Sequence, residues 1–139
     1  MLFRSALEEG IVPGGGMALL HARNGISDYN SIGGRIVYNV CAEPFKKILS
    51  NAGFEQEDIY NALSGATGGD YWWGFNLVED DFCDMREIGV IDPAKVTRTA
   101  LENAASVAGT ILLTEAVVVD KPEENKDSDA GFGGMGGMF

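Results

Sequence analysis

The chain has 139 residues, a length that fits one domain, and 45% of them are hydrophobic, as in an ordinary globular protein. Ten basic residues face 21 acidic ones, for a formal net charge of −11 and a pI of about 4.3. Nucleic acid and anionic membrane surfaces need clustered Lys and Arg, so neither is an expected partner.

No stretch approaches the roughly 18 apolar residues of a membrane span. Met1-Leu2-Phe3-Arg4 does not open a signal peptide, because Glu8 and Glu9 follow, and the expected location is the cytoplasm. In that reducing compartment Cys41 and Cys83 are expected as free thiols. Neither belongs to a CxxC pair and His21 is the single histidine, which argues against a zinc site.

Leu2 to Glu9 reads as the end of a helix whose beginning lies upstream. Gly14-Gly15-Gly16 then leads straight into the apolar run Met17-Ala18-Leu19-Leu20, a loop that opens a helix. Glycines let backbone approach a ligand, and a helix N-terminus behind them suits phosphate or another polar group. The helix runs to about Asn24 and Gly25 ends it. Ser27 to Ser31 is a loop. Apolar residues at Ile32, Ile36, Val37, Val40 and Cys41 keep helical spacing. Pro44 opens the next segment, with Phe45, Ile48 and Leu49 on one side, and Asn51-Ala52-Gly53 closes it. Glu55 to Leu63 is a short helix with acids in its first turn.

Ser64 to Asp70 is turn-rich. Tyr71 to Val78 is aromatic and β-branched and predicts a β-hairpin or paired short strands. Glu79-Asp80-Asp81 is a charged break, and Asp84 to Glu87 a helical turn ended by Gly89. Asp92-Pro93 is the clearest helix start: Asp caps and Pro suits the first position. The helix runs from Pro93 to about Leu113. Its stripes Val96/Ala100/Ala104/Val107/Ile111 and Leu101/Ala105/Ala108/Leu112 predict burial on most sides. Glu115 to Val119 reads as a strand without a local partner, an edge for another chain. Residues 121–139 are an expected disordered acidic linker and a Gly/Met tail.

Four segments resemble the GroEL-type (group I) chaperonins, the 60 kDa heat-shock class. They are Glu8-Glu9-Gly10-Ile11-Val12-Pro13-Gly14-Gly15-Gly16, Asp92-Pro93-Ala94-Lys95-Val96-Thr97-Arg98, Ala104-Ala105-Ser106-Val107-Ala108-Gly109 with Thr114-Glu115, and the terminal Gly-Gly-Met repeats. Their order and spacing follow the family over almost the whole chain, but match only the C-terminal part of a subunit. The resemblance implies a mostly α fold, the second half of an equatorial domain over residues 1–120, with a small hairpin and a C-terminal edge strand. It also implies ATP-dependent protein folding by a ring of subunits, with a co-chaperonin and unfolded clients as partners.

By the same resemblance, Gly14 and Gly15 touch the sugar and base of ATP, Asn76 and Leu77 line the adenine, and Asp92 binds the ribose hydroxyls. Leu77 and Val78 stand where the family usually has two alanines, which narrows the adenine pocket. The family's phosphate loop and metal-binding aspartate belong to the other half of the domain, and its catalytic carboxylate falls just upstream of Met1 in this register. The ligands of Mg2+ are therefore expected outside this sequence, and this segment by itself is expected to be inactive as an ATPase. The plainer readings are a loop for the glycines, a helix cap for Asp92, a turn residue for Asn76, packing for Trp72 and Trp73, and a structural His21. A different functional class is a stand-alone, non-enzymatic assembly module that complements or modulates a chaperonin ring.

Overall fold

In the computed structural model, residues 2–119 are described; the linker and Gly/Met tail expected at 121–139 lie outside them. Among the described residues, six α-helices and four short strands follow in the order α1 (Leu2–Glu9), β1 (Ile11–Pro13), α2 (Met17–Ala22), α3 (Ile32–Val40), α4 (Glu43–Asn51), α5 (Gln56–Ala66), β2 (Trp73–Asn76), β3 (Asp81–Asp84), β4 (Ile91–Pro93) and α6 (Ala94–Leu112). A 3-10 turn, Arg23–Gly25, extends α2.

Apolar side chains from α2, α4, α5 and β2 converge on one core. Met17, Leu20, Ala42, Phe45, Leu49, Ala62, Ala66, Phe75 and Met85 form a single buried cluster. The spacing of Phe45 and Leu49, and of Ala62 and Ala66, puts each pair on one helical face, which is why α4 and α5 turn those faces inward. Local signals fix the ends. The Ser31 hydroxyl accepts the Gly34 N–H at 2.9 Å and caps α3, and Pro44 sits in the first turn of α4. His21 Nε2 donates to the Trp73 carbonyl at 2.9 Å, so the single histidine ties α2 to β2.

Two antiparallel ribbons complete the fold. β1 pairs with β4 in the register Val12 opposite Asp92, and β2 pairs with β3 with Phe75 opposite Phe82. The first ribbon joins residues some eighty positions apart and carries α1 and α6 beside it. An ion-pair set holds those two helices together. Arg98 grips Glu9 with two nitrogens, at 2.6 and 3.1 Å, and Glu102 at 2.9 Å, while Lys95 pairs with Glu8.

Several elements depart from the sequence expectation. The partner of β2 is Asp81–Asp84, which sequence reads as a charged break followed by a helical turn. Phe82 packs edge-on to Phe75, ring centres 5.1 Å apart, and that contact overrides the poor strand propensity of the aspartates. α5 continues three residues past Leu63, because Ala66 is fully buried and rewards another turn. Asp92 caps no helix: it lies in β4, and Pro93 occupies the cap of α6 without a side-chain bond. α6 is not buried on most sides; Val107, Ile111 and Leu112 stand exposed, because among the described residues only α1 and β4 pack on it substantially. Glu115–Val119 forms no strand. A strand exists by pairing, the described residues offer none, and Val117 to Val119 are open to solvent.

Candidate functional site

The β1–β4 ribbon builds the site. Beyond the Pro13–Ile91 pair, the Gly14 N–H donates to the Val90 carbonyl at 3.0 Å, so the pairing runs on into the glycine loop. Directly opposed residues share a face, as do residues two apart along a strand. Val12, Asp92, Gly14 and Val90 therefore lie on one face. Asp92 and the glycine loop, far apart in sequence, become neighbours across this ribbon.

The contacts of Gly14 explain its identity. A Cβ there would lie 3.0 Å from Val90 Cγ1 and 3.1 Å from the Val90 backbone. The residue is buried, so Val90 fills the space a side chain would take. Gly15 is half-buried with a positive φ of 64°, and its open side faces the methyl end of Met85. Met85 also packs against Gly74 on β2, and so bridges the glycine loop to the hairpin.

The register sets Asp92 on the ribbon face it shares with Gly14 and Val90, and Gly15 meets Met85. Asp92 is exposed, and its carboxylate is not spent as a helix cap. Asn76 ends β2, two residues beyond Gly74. Its Oδ1 accepts the Val78 N–H at 3.0 Å in a side-chain turn, which leaves the amide nitrogen as the group that can read a ligand. Leu77 is half-buried and packs against the core cluster, whereas Val78 is exposed.

The chemistry of this donor set suits a sugar and a flat ring. The Asp92 carboxylate, which makes no ion pair among the described residues, can accept from a diol, and Val90, packed over Gly14, offers an apolar wall to a flat ring. The same loop is partly closed by its own contacts. The Met17 N–H already donates to the Gly14 carbonyl at 3.1 Å, and Gly16 is pressed against the Phe45 backbone. One of the N–H groups at the start of α2 is thus already engaged within the loop. Among the described residues no group of three or more His, Cys, Asp or Glu is placed to hold a metal ion.

Val90 is the site residue that sequence reasoning missed. Reading Asp92-Pro93 as a helix start hid the strand, and with it the rule that Val90 shares a face with Asp92. Trp72 and Trp73 pack as expected rather than forming a ligand platform: Trp73 stacks on Phe82, and the Arg86 guanidinium lies over Trp72.

Comparison with known proteins agrees with this architecture. The chain resembles a group III chaperonin solved in its open state, with a TM-score of 0.69 and 27% sequence identity. The match covers 84% of this chain and 25% of that one, so the chain spans about a quarter of its structural relative. No described helix is long and apolar enough to cross a membrane. Residues 1–122 match the TCP-1/cpn60 chaperonin family, and the chain belongs to that family.

Proposed function

We propose that this chain is the C-terminal part of the ATP-binding, ring-forming equatorial domain of a group I chaperonin subunit, acting in ATP-dependent protein folding in the cytoplasm. The observation that carries the reading is the Val12–Asp92 register, which sets the Asp92 carboxylate on the ribbon face it shares with Gly14. Asp92 receives the ribose hydroxyls, the Gly14–Gly15 backbone and Val90 receive the adenine, and Asn76 and Leu77 border it. ATP supplies the free energy of the folding cycle; this segment binds and orients the nucleotide's sugar and base. The phosphates and Mg2+ are held by residues outside this sequence.

The exposed apolar faces support ring formation. Val107, Ile111 and Leu112 on α6, Ile32 and Ile36 on α3, and the Val117–Val119 segment stand exposed, and exposed apolar side chains gathered on one face mark contact surfaces. The valine segment pairs with a neighbouring subunit, and the co-chaperonin and unfolded clients engage other domains of the subunit.

The test is complementation. This chain is mixed with a polypeptide carrying the remaining part of a chaperonin subunit, and ring particles and ATP turnover are measured. Assembly with turnover, abolished by Asp92→Ala, is expected. Rings whose turnover ignores Asp92→Ala, or the absence of any co-assembly, would refute the reading.

A further inference from the structure

A cleft lies between α5 and the β2–β3 hairpin. It encloses about 270 Å3 and is lined by Phe54, Asp58, Asn61, Ala62, Phe75, Asp80 and Phe82. Asp58, Asn61 and Ala62 follow the i, i+3, i+4 spacing that shares one helical face. Its floor is aromatic. Phe54 meets Phe75 edge-on with ring centres 5.9 Å apart, and Phe75 meets Phe82 in the same way at 5.1 Å. Edge-to-face rings turn at least one electron-rich face away from the contact.

The wall is held firmly. A Cβ on Gly65 would lie 2.3 Å from the Phe82 ring, so the hairpin sits directly on α5. Asp80 occupies the hairpin turn with a φ of 53°, the single positive φ of a non-glycine residue in the described chain. Neither Asp58 nor Asp80 makes an ion pair among the described residues.

Charge decides what such a cleft takes. No lysine or arginine stands between Lys47 and Arg86, a stretch that carries eight carboxylates. The cleft is centred in this stretch. A groove lined by one sign of charge over low-dielectric walls concentrates the field and draws in the opposite ion. Phenylalanine faces attract cations as well, and a long aliphatic stem covers apolar surface while its charged head reaches the carboxylates.

We propose that this cleft is a docking site for a basic segment of a partner protein, which inserts a lysine or arginine side chain. The stem lies on Phe54, Phe75 and Phe82, and the cation is held between Asp58 and Asp80. This site is separate from the nucleotide reading and does not depend on it.

The test is fluorescence anisotropy with a labelled, end-capped peptide carrying three arginines, titrated with the full chain at low and moderate salt. Asp58→Asn with Asp80→Asn keeps the shape, and asparagine tolerates the turn conformation at position 80. The double variant should bind at least tenfold more weakly. A control with the same change in net charge, Asp28→Asn with Glu115→Gln, should bind like the parent. A norleucine-containing peptide should not compete. Asn61→Lys, at an exposed helical position, sets a tethered ammonium in the cleft and should abolish binding even if the double variant proves unstable. Equal loss in the control, unchanged binding in the Asn61→Lys variant, or no binding by the parent would overturn the proposal.

Discussion

Replacing single glycines by alanine tests the packing of the glycine loop quantitatively. Gly16 has a φ of 82°, and a Cβ there would lie 2.7 Å from the Phe45 nitrogen and 2.9 Å from its Cα. Two costs add. Holding an L-residue in the left-handed region costs about 1–2 kcal/mol. Relieving an overpacked contact costs about 1–3 kcal/mol, and here the neighbour is backbone, which yields poorly. Gly16→Ala should therefore lose about 2–5 kcal/mol, a large share of the roughly 5–15 kcal/mol that holds a domain folded. Gly10 isolates the first cost. Its φ is 83° and nothing lies within 4 Å of the added Cβ, so Gly10→Ala should lose only about 1–2 kcal/mol. Gly33 lies inside α3 with open space around it, and Gly33→Ala should gain about 0.5–1 kcal/mol from helix propensity. Urea unfolding followed by far-ultraviolet circular dichroism measures all three. Equal losses at Gly16 and Gly10 would refute the contact between the glycine loop and Phe45.

The remaining predictions concern charge and thiols. The hydrogen bonds from Arg98 hold the Glu9 carboxyl below its usual range, and Arg86 does the same for Asp84. A depressed carboxyl adds stability above the unfolded pKa and loses it as pH falls through the folded one. Urea midpoints should thus drop as pH falls below about 4, and Glu9→Gln should flatten part of that drop; an unchanged profile would count against the α1–α6 clamp. Burial raises the thiol pKa of Cys41, and burial with surrounding carboxylates raises that of Cys83, so both should react slowly with a disulfide reagent at pH 7. Cys83, on a half-exposed strand, should still react before the buried Cys41, and mass spectrometry of the labelled peptides reads the order.

Helices were legible where the apolar spacing was regular: α1, α3 and α6 fall within a residue or two of their sequence expectation. The glycine loop was legible because three glycines before an apolar run have few alternatives. What escaped the sequence depends on partners distant along the chain. Asp92-Pro93 has every local mark of a helix start, yet β1, some eighty residues earlier, recruits it into a ribbon. Asp81 and Asp84 are poor strand residues, and only the contact of Phe82 with Phe75 and α5 makes β3 a strand. Glu115–Val119 has strand composition without a strand, since its pairing groups meet nothing among the described residues. Gly14 and Gly15 could be chosen from sequence; the involvement of Val90 could not, because it follows from a register.

The most direct test of the nucleotide reading is photolabelling of the assembled chaperonin particle containing this chain with an azidoadenine nucleotide, followed by peptide mapping. The account predicts label in the peptides carrying Gly14–Gly15 and Asn76–Leu77, displaced by excess ATP and lost in Asp92→Ala. Label confined to other peptides of the chain, or labelling that survives Asp92→Ala undiminished, would contradict it.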